Sequence, residues 1–327
     1  MARDRLRLGL IGAGWISTLH LAALDRLDRT TLVGVTSGSL ASAEATAIPR
    51  GAVAYDDLER MLDEQRPDVV YVAVPPSAAV AACDAVIGRD IPFLAEKPLA
   101  ATDAEGPARV AAAIAARPGL VVAVGYHLRS LEQLPEVRAR LVANPARLVT
   151  ARWIGGTPDP AWWRREADGG GQVIEQATHL YDLARLLVGE AEVVGATTLH
   201  ETPATPADTD VADATAAVLR FDTGAVGTFA NTRRQSSHVI DMSFGSDGLL
   251  TTIRRSGSEP QDWEVELRDG DDVTVLPPGR DPYEVQAETF LDAVLAGDSS
   301  AVPSTYADAL LTDRLTRSVV AATGTRG

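Results

Sequence analysis

Short apolar runs alternate with amphipathic segments along the first 125 residues of the chain. Residues 8–11 form one such run, which is typical of a strand buried on both faces. Residues 15–27 instead have the spacing of an amphipathic helix. The side chains expected to face inward in that helix are Ile16, Leu19, Ala23 and Leu27. Because Gly12-Ala13-Gly14 separates the two segments, the pattern predicts a strand, a glycine turn and a helix in that order.

The same alternation continues to about residue 125 and predicts a first α/β domain. Further strands are predicted at residues 31–35, 53–55, 69–74, 91–95 and 120–125. Helices are predicted between them at residues 39–47, 57–64, 78–87 and 104–116. Strands and helices that alternate with short connections form a parallel sheet with right-handed crossovers. We therefore predict a first domain at residues 1–124 and a second domain at residues 125–327.

The glycine turn has the spacing of a dinucleotide-binding fingerprint. In Gly12-x-Gly14-x-x-Ser17, Gly12 permits a tight turn and Gly14 lets the backbone approach a pyrophosphate. Free N–H groups at the start of the helix, around Trp15 and Ile16, would hold the negative charge. The alternative is a glycine-rich turn that binds no ligand. The strand before the turn and the helix after it favour the cofactor.

The residues after the second predicted strand bear on the choice of coenzyme. An acidic side chain at this point usually bonds the adenine ribose of NAD, but this chain has Thr36-Ser37-Gly38-Ser39. Without the carboxylate there is no repulsion against a 2′-phosphate, and the hydroxyl of Ser37 can bond one, although no arginine is present to clamp it. Ser39 fits equally well as an ordinary helix N-cap. The sequence therefore predicts NAD or NADP and slightly favours NADP.

Glu96-Lys97-Pro98 follows a predicted strand at the end of the sheet where ligands of parallel sheets bind. A lysine at this position can donate to a substrate oxygen and stabilise a developing alkoxide. The alternative is a solvated Glu–Lys pair at the start of a loop. Further cofactor contacts are predicted at this edge for Val74, Pro75, Glu96 and Lys97, and substrate contacts for His127 and Arg129.

A second candidate for acid–base chemistry lies in the Gly169-Gly170-Gly171 region of the chain. Residues 175, 179 and 182 fall on one face of the predicted helix that follows these glycines. His179 with Glu175 one turn earlier is the pairing that a general acid or base needs, because the carboxylate sets the tautomer and basicity of the imidazole. An ordinary surface pair with i,i+4 spacing is the alternative.

Composition and charge exclude several classes of protein. Lysine plus arginine number 30 and aspartate plus glutamate 45, which gives a net charge of −15. Such a surface repels nucleic acids and anionic membranes. Cys83 is the only cysteine, no apolar leader precedes the first strand, and no run is long enough to span a membrane. We therefore expect a cytoplasmic protein with no nucleic-acid or membrane partner, and no metal site is predicted.

Three motifs in the same order resemble the Gfo/Idh/MocA family of NAD(P)-dependent oxidoreductases. They are the glycine turn, Glu96-Lys97-Pro98, and the glycine run followed by carboxylate-x-x-x-His-x-x-Asp. The resemblance covers essentially the whole chain. It implies a Rossmann domain with a parallel sheet, followed by an α/β domain with a large, open, mainly antiparallel sheet. One broad face of that sheet would remain for self-association, so we expect a homo-oligomer.

The resemblance also implies roles for individual residues. Lys97 matches the lysine of the family motif, His179 the catalytic histidine, and Glu175 its acidic partner, where most members have aspartate. Two further departures are Ala177 in place of a common glycine and Ala79 in place of a common histidine. By the same resemblance, Trp163 and Arg164 reach cofactor or substrate, and Asp182 is catalytic or structural. Tyr283 matches a position that lines the substrate pocket, and a simple packing tyrosine fits equally well.

These observations lead to three functional hypotheses. The first is an oxidoreductase acting on a secondary alcohol or ketone of a sugar, cyclitol or related polyol, in which His179 exchanges the proton and Lys97 polarises the oxygen. The second is a reductase of C=N bonds in specialised metabolism. The third is a non-catalytic cofactor sensor, which has no need of Lys97, Glu175 and His179 together.

Overall fold

The computed structural model describes residues 5–201 and 209–324, so the start of the chain, on which the expectation of no leader rests, lies outside it. The chain forms two compact units. The first comprises Met1–Ser130 and Tyr283–Leu310, and the second comprises Leu131–Pro282 and Leu311–Gly327. These units differ from the predicted ranges 1–124 and 125–327, because residues 283–310 return to the first unit.

The first unit contains a six-stranded sheet in which neighbouring strands are parallel, in the order β3-β2-β1-β4-β5-β6. Its strands are β1 (Leu6–Ile11), β2 (Thr30–Thr36), β3 (Val53–Tyr55), β4 (Val69–Val72), β5 (Phe93–Ala95) and β6 (Val122–Val124). The connecting helices are α1 (Trp15–Leu27), α2 (Leu40–Ala47), α3 (Leu58–Gln65), α4 (Pro76–Ile87) and α5 (Gly106–Ala115). This order is that of the dinucleotide-binding Rossmann fold and confirms the predicted parallel sheet.

The second unit is built on an eight-stranded sheet in the order β14-β13-β12-β11-β7-β10-β9-β8. Its strands are β7 (Leu148–Ile154), β8 (Ala191–Leu199), β9 (Ala214–Phe221), β10 (Val226–Thr232), β11 (Val239–Gly245), β12 (Leu249–Arg255), β13 (Trp263–Asp269) and β14 (Asp272–Val275). Among the strands of the described residues, only β7 and β10 pair in parallel, and the other neighbouring pairs are antiparallel, as predicted for this sheet. Buried and exposed residues alternate along β9 and β10, so one face of these strands is covered and the other is exposed.

Helices of the second unit precede and follow β7. They are α6 (Leu134–Ala143), α7 (Glu166–Gly169), α8 (Gly171–Glu175) and α9 (Thr178–Val188). Two long helices close the chain, α10 (Pro282–Ala296) and α11 (Tyr306–Ala322). Single 3-10 turns lie at Ile48–Arg50, His127–Ser130, Ala161–Arg164 and Ser299–Ala301. None of the helices in the described residues is long and apolar enough to cross a membrane.

Apolar side chains cover both faces of the parallel sheet in the first unit. Leu8 and Leu10 of β1 pack on one face in a cluster with Phe290 and Leu291 of α10. Ile11 points to the opposite face, where the cluster includes side chains from α4 and α5. Because side chains alternate along a strand, a sheet buried on both sides needs apolar residues at consecutive positions. The helix from the far end of the chain therefore completes the core of the first unit.

The single cysteine lies inside this core. Cys83 is buried in α4 and is a free thiol. Burial, with a smaller contribution from the charge of Asp84, raises its pKa to about 12. Since the thiolate is the reactive form, Cys83 packs as an inert apolar residue. Its position assigns no redox role to it, and the cytoplasmic location stays a prediction.

The turn between β1 and α1 requires glycine at its first position. Gly12 has a φ of +101°, and an added Cβ would lie 2.0 Å from the carbonyl oxygen of Ala73. The Gly12 N–H donates to the Thr36 carbonyl at 2.7 Å. Gly14 differs, because no heavy atom of the described residues lies within 4 Å of an added Cβ. The two glycines therefore have different tasks.

Replacing Gly12 by alanine should destabilise the protein by about 3 kcal/mol or more, because the backbone is strained and the new methyl group overlaps the Ala73 carbonyl. Gly14→Ala is the matched control in the same turn and should cost less than about 1 kcal/mol. Chemical denaturation of the apoprotein measures both. Equal stability losses in the two variants would contradict this account of the turn.

Candidate active site

The carboxyl ends of the parallel strands bring the predicted cofactor residues of the first unit to one edge. Ile11 pairs with Thr36 on one side and with Val72 on the other. Val72 pairs with Ala95, and Ala95 pairs with Val124. The residues that follow these positions at the edge are Gly12, Ser37, Val74, Pro75, Glu96, Lys97 and His127. This edge, next to the point where the strand order reverses between β1 and β4, is where such sheets bind nucleotides.

The start of α1 has the features of a pyrophosphate cradle. Gly14 is the N-cap and has no side chain that caps the helix. The first N–H groups of a helix have no acceptor within the helix and carry partial positive charge. Open space above Gly14 would let a phosphate reach these groups. Trp15, at the first position of the helix, is 72% exposed, and Ile16 is half-buried.

Ser17 replaces the third glycine of the fingerprint and is fully buried. Its hydroxyl donates to the carbonyl oxygen of Gly12 at 2.9 Å. Ser39, at the end of the second strand's loop, accepts the N–H of Ser42 at 3.2 Å and is the N-cap of α2. The N-cap alternative for Ser39 is therefore what the structure shows. Ser37 and Gly38 remain as the positions that would face an adenine ribose.

Lys97 is half-buried and lies two residues after the end of β5, and the peptide bond to Pro98 is cis. Its N–H donates to Oε2 of the buried Glu96 at 3.1 Å. Lys97 is also the only lysine in the sequence. The other 29 residues of the Lys and Arg total are arginines, and lysine differs from them in carrying a compact ammonium instead of a planar guanidinium.

Two predicted substrate residues of the first unit lie together. The rings of His127 and Tyr283 are stacked at 4.5 Å with an angle of 16° between their planes. Arg129 is placed differently, since its buried guanidinium pairs with Asp308 and donates to the Pro303 carbonyl at 3.0 Å. These contacts give Arg129 a structural role in the first unit, and substrate contact by all three residues stays a prediction.

The predicted continuous helix over residues 175–182 is wrong. Helix α8 ends at Glu175 and α9 begins at Thr178. The N–H groups of Gln176 and Ala177 both donate to the Gln172 carbonyl, at 3.0 and 2.9 Å, which closes a wider turn than an α-helix. Regular i,i+4 spacing therefore does not relate Glu175 to His179.

His179 and Glu175 are each positioned by a tryptophan of the second unit. The indole N–H of the buried Trp163 donates to Oε2 of Glu175 at 2.7 Å. The buried ring of His179 lies parallel to the ring of Trp153, with centroids 5.9 Å apart. Arg164 is half-buried, and its carbonyl accepts the Asp210 N–H at 3.2 Å. Glu175 as the acidic partner of His179, and cofactor or substrate contact by Trp163 and Arg164, stay predictions.

Asp182 has structural contacts inside the second unit. It accepts a hydrogen bond from the Thr312 hydroxyl at 2.8 Å, and Thr312 accepts one from Arg185 at 2.7 Å. All three side chains are buried. Buried polar groups need hydrogen-bond partners, and these three side chains supply them to one another. The contacts connect α9 to α11. Of the two roles that the resemblance left open for Asp182, these contacts support the structural one.

Sequence reasoning missed a network of side-chain amides close to the segment that leads to His179. Asn231 donates to Gln172 Oε1 at 2.8 Å, and Gln172 donates to the Thr232 carbonyl at 3.0 Å. Asn231 also pairs in register with Trp153. The network anchors α8 to β10, and therefore fixes the segment that leads to His179. Its members are far apart in the chain, so no local spacing could have shown it.

His20 was also missed, because the buried face of α1 is rotated from the predicted one. Among the residues expected to face inward, Ile16, Leu19 and Leu27 are only half-buried. The buried residues are Ser17, His20, Leu21, Ala23 and Leu24. Nε2 of His20 lies 2.7 Å from Oε1 of Glu96. The spacing of apolar residues does not identify a buried helix face when that face includes two polar residues.

Burial and a neighbouring charge both change the pKa of Tyr71, which lies next to His20 and Glu96. Its hydroxyl has no hydrogen-bond partner among the described residues. Burial raises the pKa of Tyr71, and the negative charge of Glu96 raises it further. Tyr71 is therefore a neutral, fully buried neighbour of His20. The described residues contain no cluster of His, Cys, Asp and Glu able to hold a metal ion.

Comparison with known proteins gives several relatives. The chain is 28% identical over 190 residues to rhizopine catabolism protein MocA of Rhizobium meliloti, a match over 57% of this chain and 58% of that protein. It is 25% identical to myo-inositol 2-dehydrogenase of Thermotoga maritima, over 91% of this chain and 90% of that protein. The chain thus spans little more than half the length of MocA in the first match.

A solved structure with the same fold is 3-ketoreductase KijD10 from Actinomadura kijaniata, in complex with NADP and TDP-benzene. It superposes with a TM-score of 0.85 at 21% identity, over 98% of both chains. Residues 6–126 match the profile of an oxidoreductase family with an NAD-binding Rossmann fold, and residues 145–249 match the GFO/IDH/MocA C-terminal domain. Because these two matches together cover more than half of the chain, it belongs to the Gfo/Idh/MocA family of oxidoreductases.

Proposed function

We propose that the protein is an NAD(P)-dependent oxidoreductase acting on a secondary alcohol or ketone of a sugar, cyclitol or related polyol. The observation that carries the proposal is the position of Lys97, the only lysine, at the same strand edge as the glycine turn of an NAD-binding Rossmann fold. A bound nicotinamide supplies the hydride acceptor or donor. The substrate contributes the carbon and oxygen between which the bond order changes.

The chain's own groups handle the oxygen and its proton. The Lys97 ammonium donates to the substrate oxygen and stabilises negative charge that develops on it. His179 accepts the hydroxyl proton during oxidation and returns it during reduction. The parallel ring of Trp153 restricts the imidazole plane, and the Trp163 indole fixes the Glu175 carboxylate. His127 and Tyr283, stacked on each other, are proposed to contact the remaining hydroxyl groups.

The substrate class is supported by the names of relatives. They include myo-inositol 2-dehydrogenase and the D-glucoside 3-dehydrogenase of Escherichia coli, the latter 29% identical over 58% of this chain and 56% of that protein. Both names describe oxidation of a ring hydroxyl. We therefore propose a cyclic polyhydroxylated substrate, with imines as the second class to be tested.

Removing either proposed chemical group should reduce turnover without removing cofactor binding. Lys97→Met and His179→Gln should each lower kcat by about 10²- to 10⁴-fold, the usual contribution of a positioned acid or base. Lys97→Arg should remain impaired, because the planar guanidinium does not replace a compact ammonium. Assays with NAD⁺ or NADP⁺ and myo-inositol, D-glucose or methyl D-glucoside measure the rates, and the reverse reaction with ketones and imines separates the substrate classes.

Arg109→Gln serves as the control, because this arginine forms an exposed pair with Asp84 on the outside of the first unit. It should retain full activity. Wild-type turnover that survives in both Lys97→Met and His179→Gln would refute the assigned roles.

The coenzyme is proposed to be NADP, with NAD as the alternative. Support comes from the absence of an acidic residue at positions 36–39 and from Ser37, whose hydroxyl is not the helix cap.

Ser37→Asp should lower affinity for NADP⁺ by at least about tenfold through repulsion of the 2′-phosphate, and should raise affinity for NAD⁺. Fluorescence titration with each nucleotide measures the change. Ser39→Asp, at the N-cap, is the control and should leave the ratio of affinities closer to that of the wild type. Unchanged selectivity in Ser37→Asp would contradict the proposed ribose contact.

We also propose that the protein is a homo-oligomer formed through the exposed face of the second sheet. Val218 and Val226 are exposed there, and Ala216, Thr228 and Ala230 form a shallow groove of small side chains between β9 and β10. A flat face of this kind, with exposed valines, suits a second copy of the same sheet.

Val218→Glu should shift the sedimentation profile toward the 34.5 kDa monomer, because a carboxylate would be buried against its own copy. Val142→Glu, on the exposed side of α6, is the control. Sedimentation velocity at several protein concentrations reports both. A wild type that sediments as a monomer throughout would rule out the proposal.

A further inference from the structure

His20 belongs to α1, the helix that follows the glycine turn, and yet it is 1% exposed. Tyr71 and Tyr283 present their rings to it edge to face, at 5.2 and 5.4 Å. Its Nδ1 has no hydrogen-bond partner among the described residues. The tautomer with the proton on Nε2 leaves no buried N–H group unsatisfied, and this N–H donates to Glu96 Oε1 at 2.7 Å.

The Glu96 carboxylate is held through both of its oxygens. Oε1 accepts from His20, and Oε2 accepts the backbone N–H of Lys97 at 3.1 Å. The Glu96 N–H donates to the Val72 carbonyl at 2.8 Å, which fixes the residue to β4. At Gly125 an added Cβ would lie 2.5 Å from Glu96 Oε1, so the carboxylate occupies the space that glycine leaves.

A buried polar pair is a poor way to gain stability alone. Apolar residues of similar volume often give equal or greater stability, because the charge need not be taken out of water. The pair instead forms directional hydrogen bonds, and these bonds connect α1 to the backbone of Lys97. Apolar contacts lack such direction.

We propose that His20 and Glu96 are positioning residues that fix the backbone of Lys97 relative to the glycine turn. The pair holds the only lysine in register with the helix start that binds the dinucleotide. This inference rests on the proposed function for its consequence in turnover. The geometric part, a hydrogen bond from His20 through Glu96 to the Lys97 N–H, is independent of any substrate.

The matched variants are His20→Gln and His20→Leu. Both remove the imidazole ring and its contacts with Tyr71 and Tyr283. Only glutamine keeps an N–H donor near the position of Nε2, so it can still bond Glu96. A difference between these variants therefore reports the hydrogen bond and not the loss of ring packing.

The first measurement needs no activity. Labelling the full-length protein with ¹⁵N-lysine gives one backbone amide signal, because the sequence contains one lysine. We expect the Lys97 amide proton to resonate downfield in the wild type, to stay near that position in His20→Gln, and to move upfield in His20→Leu. Identical signals in all three proteins would overturn the proposal.

The second measurement is kinetic. With a polyol that the wild type oxidises, His20→Leu should lower kcat by about 10- to 100-fold, the effect of a small misplacement of a reacting group. The dissociation constant for the nucleotide should change little, and His20→Gln should recover most of the loss. A lower unfolding temperature with unchanged kcat would show a purely structural role and would also overturn the proposal.

Two outcomes remain to be distinguished. If His20→Leu does not fold, Glu96→Gln replaces it, because glutamine offers one acceptor to two donors and should shift the lysine signal. If the wild type turns over no polyol, the proposed function fails, and the lysine signal alone decides the positioning role. A shift in His20→Leu but not in His20→Gln then supports the role, and its absence refutes it.

Discussion

The close approach of Gly12 to the backbone of Ala73 is the constraint on which the first unit depends. At this point β1 turns into α1 while its neighbours β2 and β4 end beside it. A side chain at position 12 would occupy the space of the Ala73 carbonyl. With glycine there, the strand ends can converge, and the open space over Gly14 faces the start of a helix whose N–H groups have no internal acceptors. The geometry of the proposed cofactor cradle follows from that one missing side chain.

Both units hold the proposed reactive groups, Lys97 and His179, through buried neighbours and not through charge alone. The backbone of Lys97 bonds a carboxylate that is itself held by a helix, and the ring of His179 lies parallel to an indole. Orientation of this kind is what acid–base chemistry requires, since a displaced donor loses most of its effect. The negative surface of the protein, with a net charge of −15, leaves the attraction of a nucleotide to these local arrangements.

The sequence predicted those features that depend on local periodicity and on the alternation of strands and helices along the chain. The parallel sheet, the glycine turn and the mixed second sheet follow from apolar runs and their alternation, together with the family resemblance. Contacts between distant segments were not accessible in this way. His20 was not predicted to be buried, because a histidine does not count as an apolar residue in a hydrophobic pattern. The helix predicted across residues 175–182 is interrupted by the turn at residues 176–177, which the regular spacing of its polar residues did not indicate. The return of residues 283–310 to the first unit depends on packing that no local pattern contains.

That return has a consequence for how the protein is made. Phe290 and Leu291 complete the apolar cluster formed by Leu8 and Leu10 of the first strand. A nascent chain that has emerged only as far as residue 124 lacks them, and part of its sheet stays open to water. The core of the first unit can close only after residues 290 and 291 have left the ribosome, so the order of synthesis and the order of folding do not coincide.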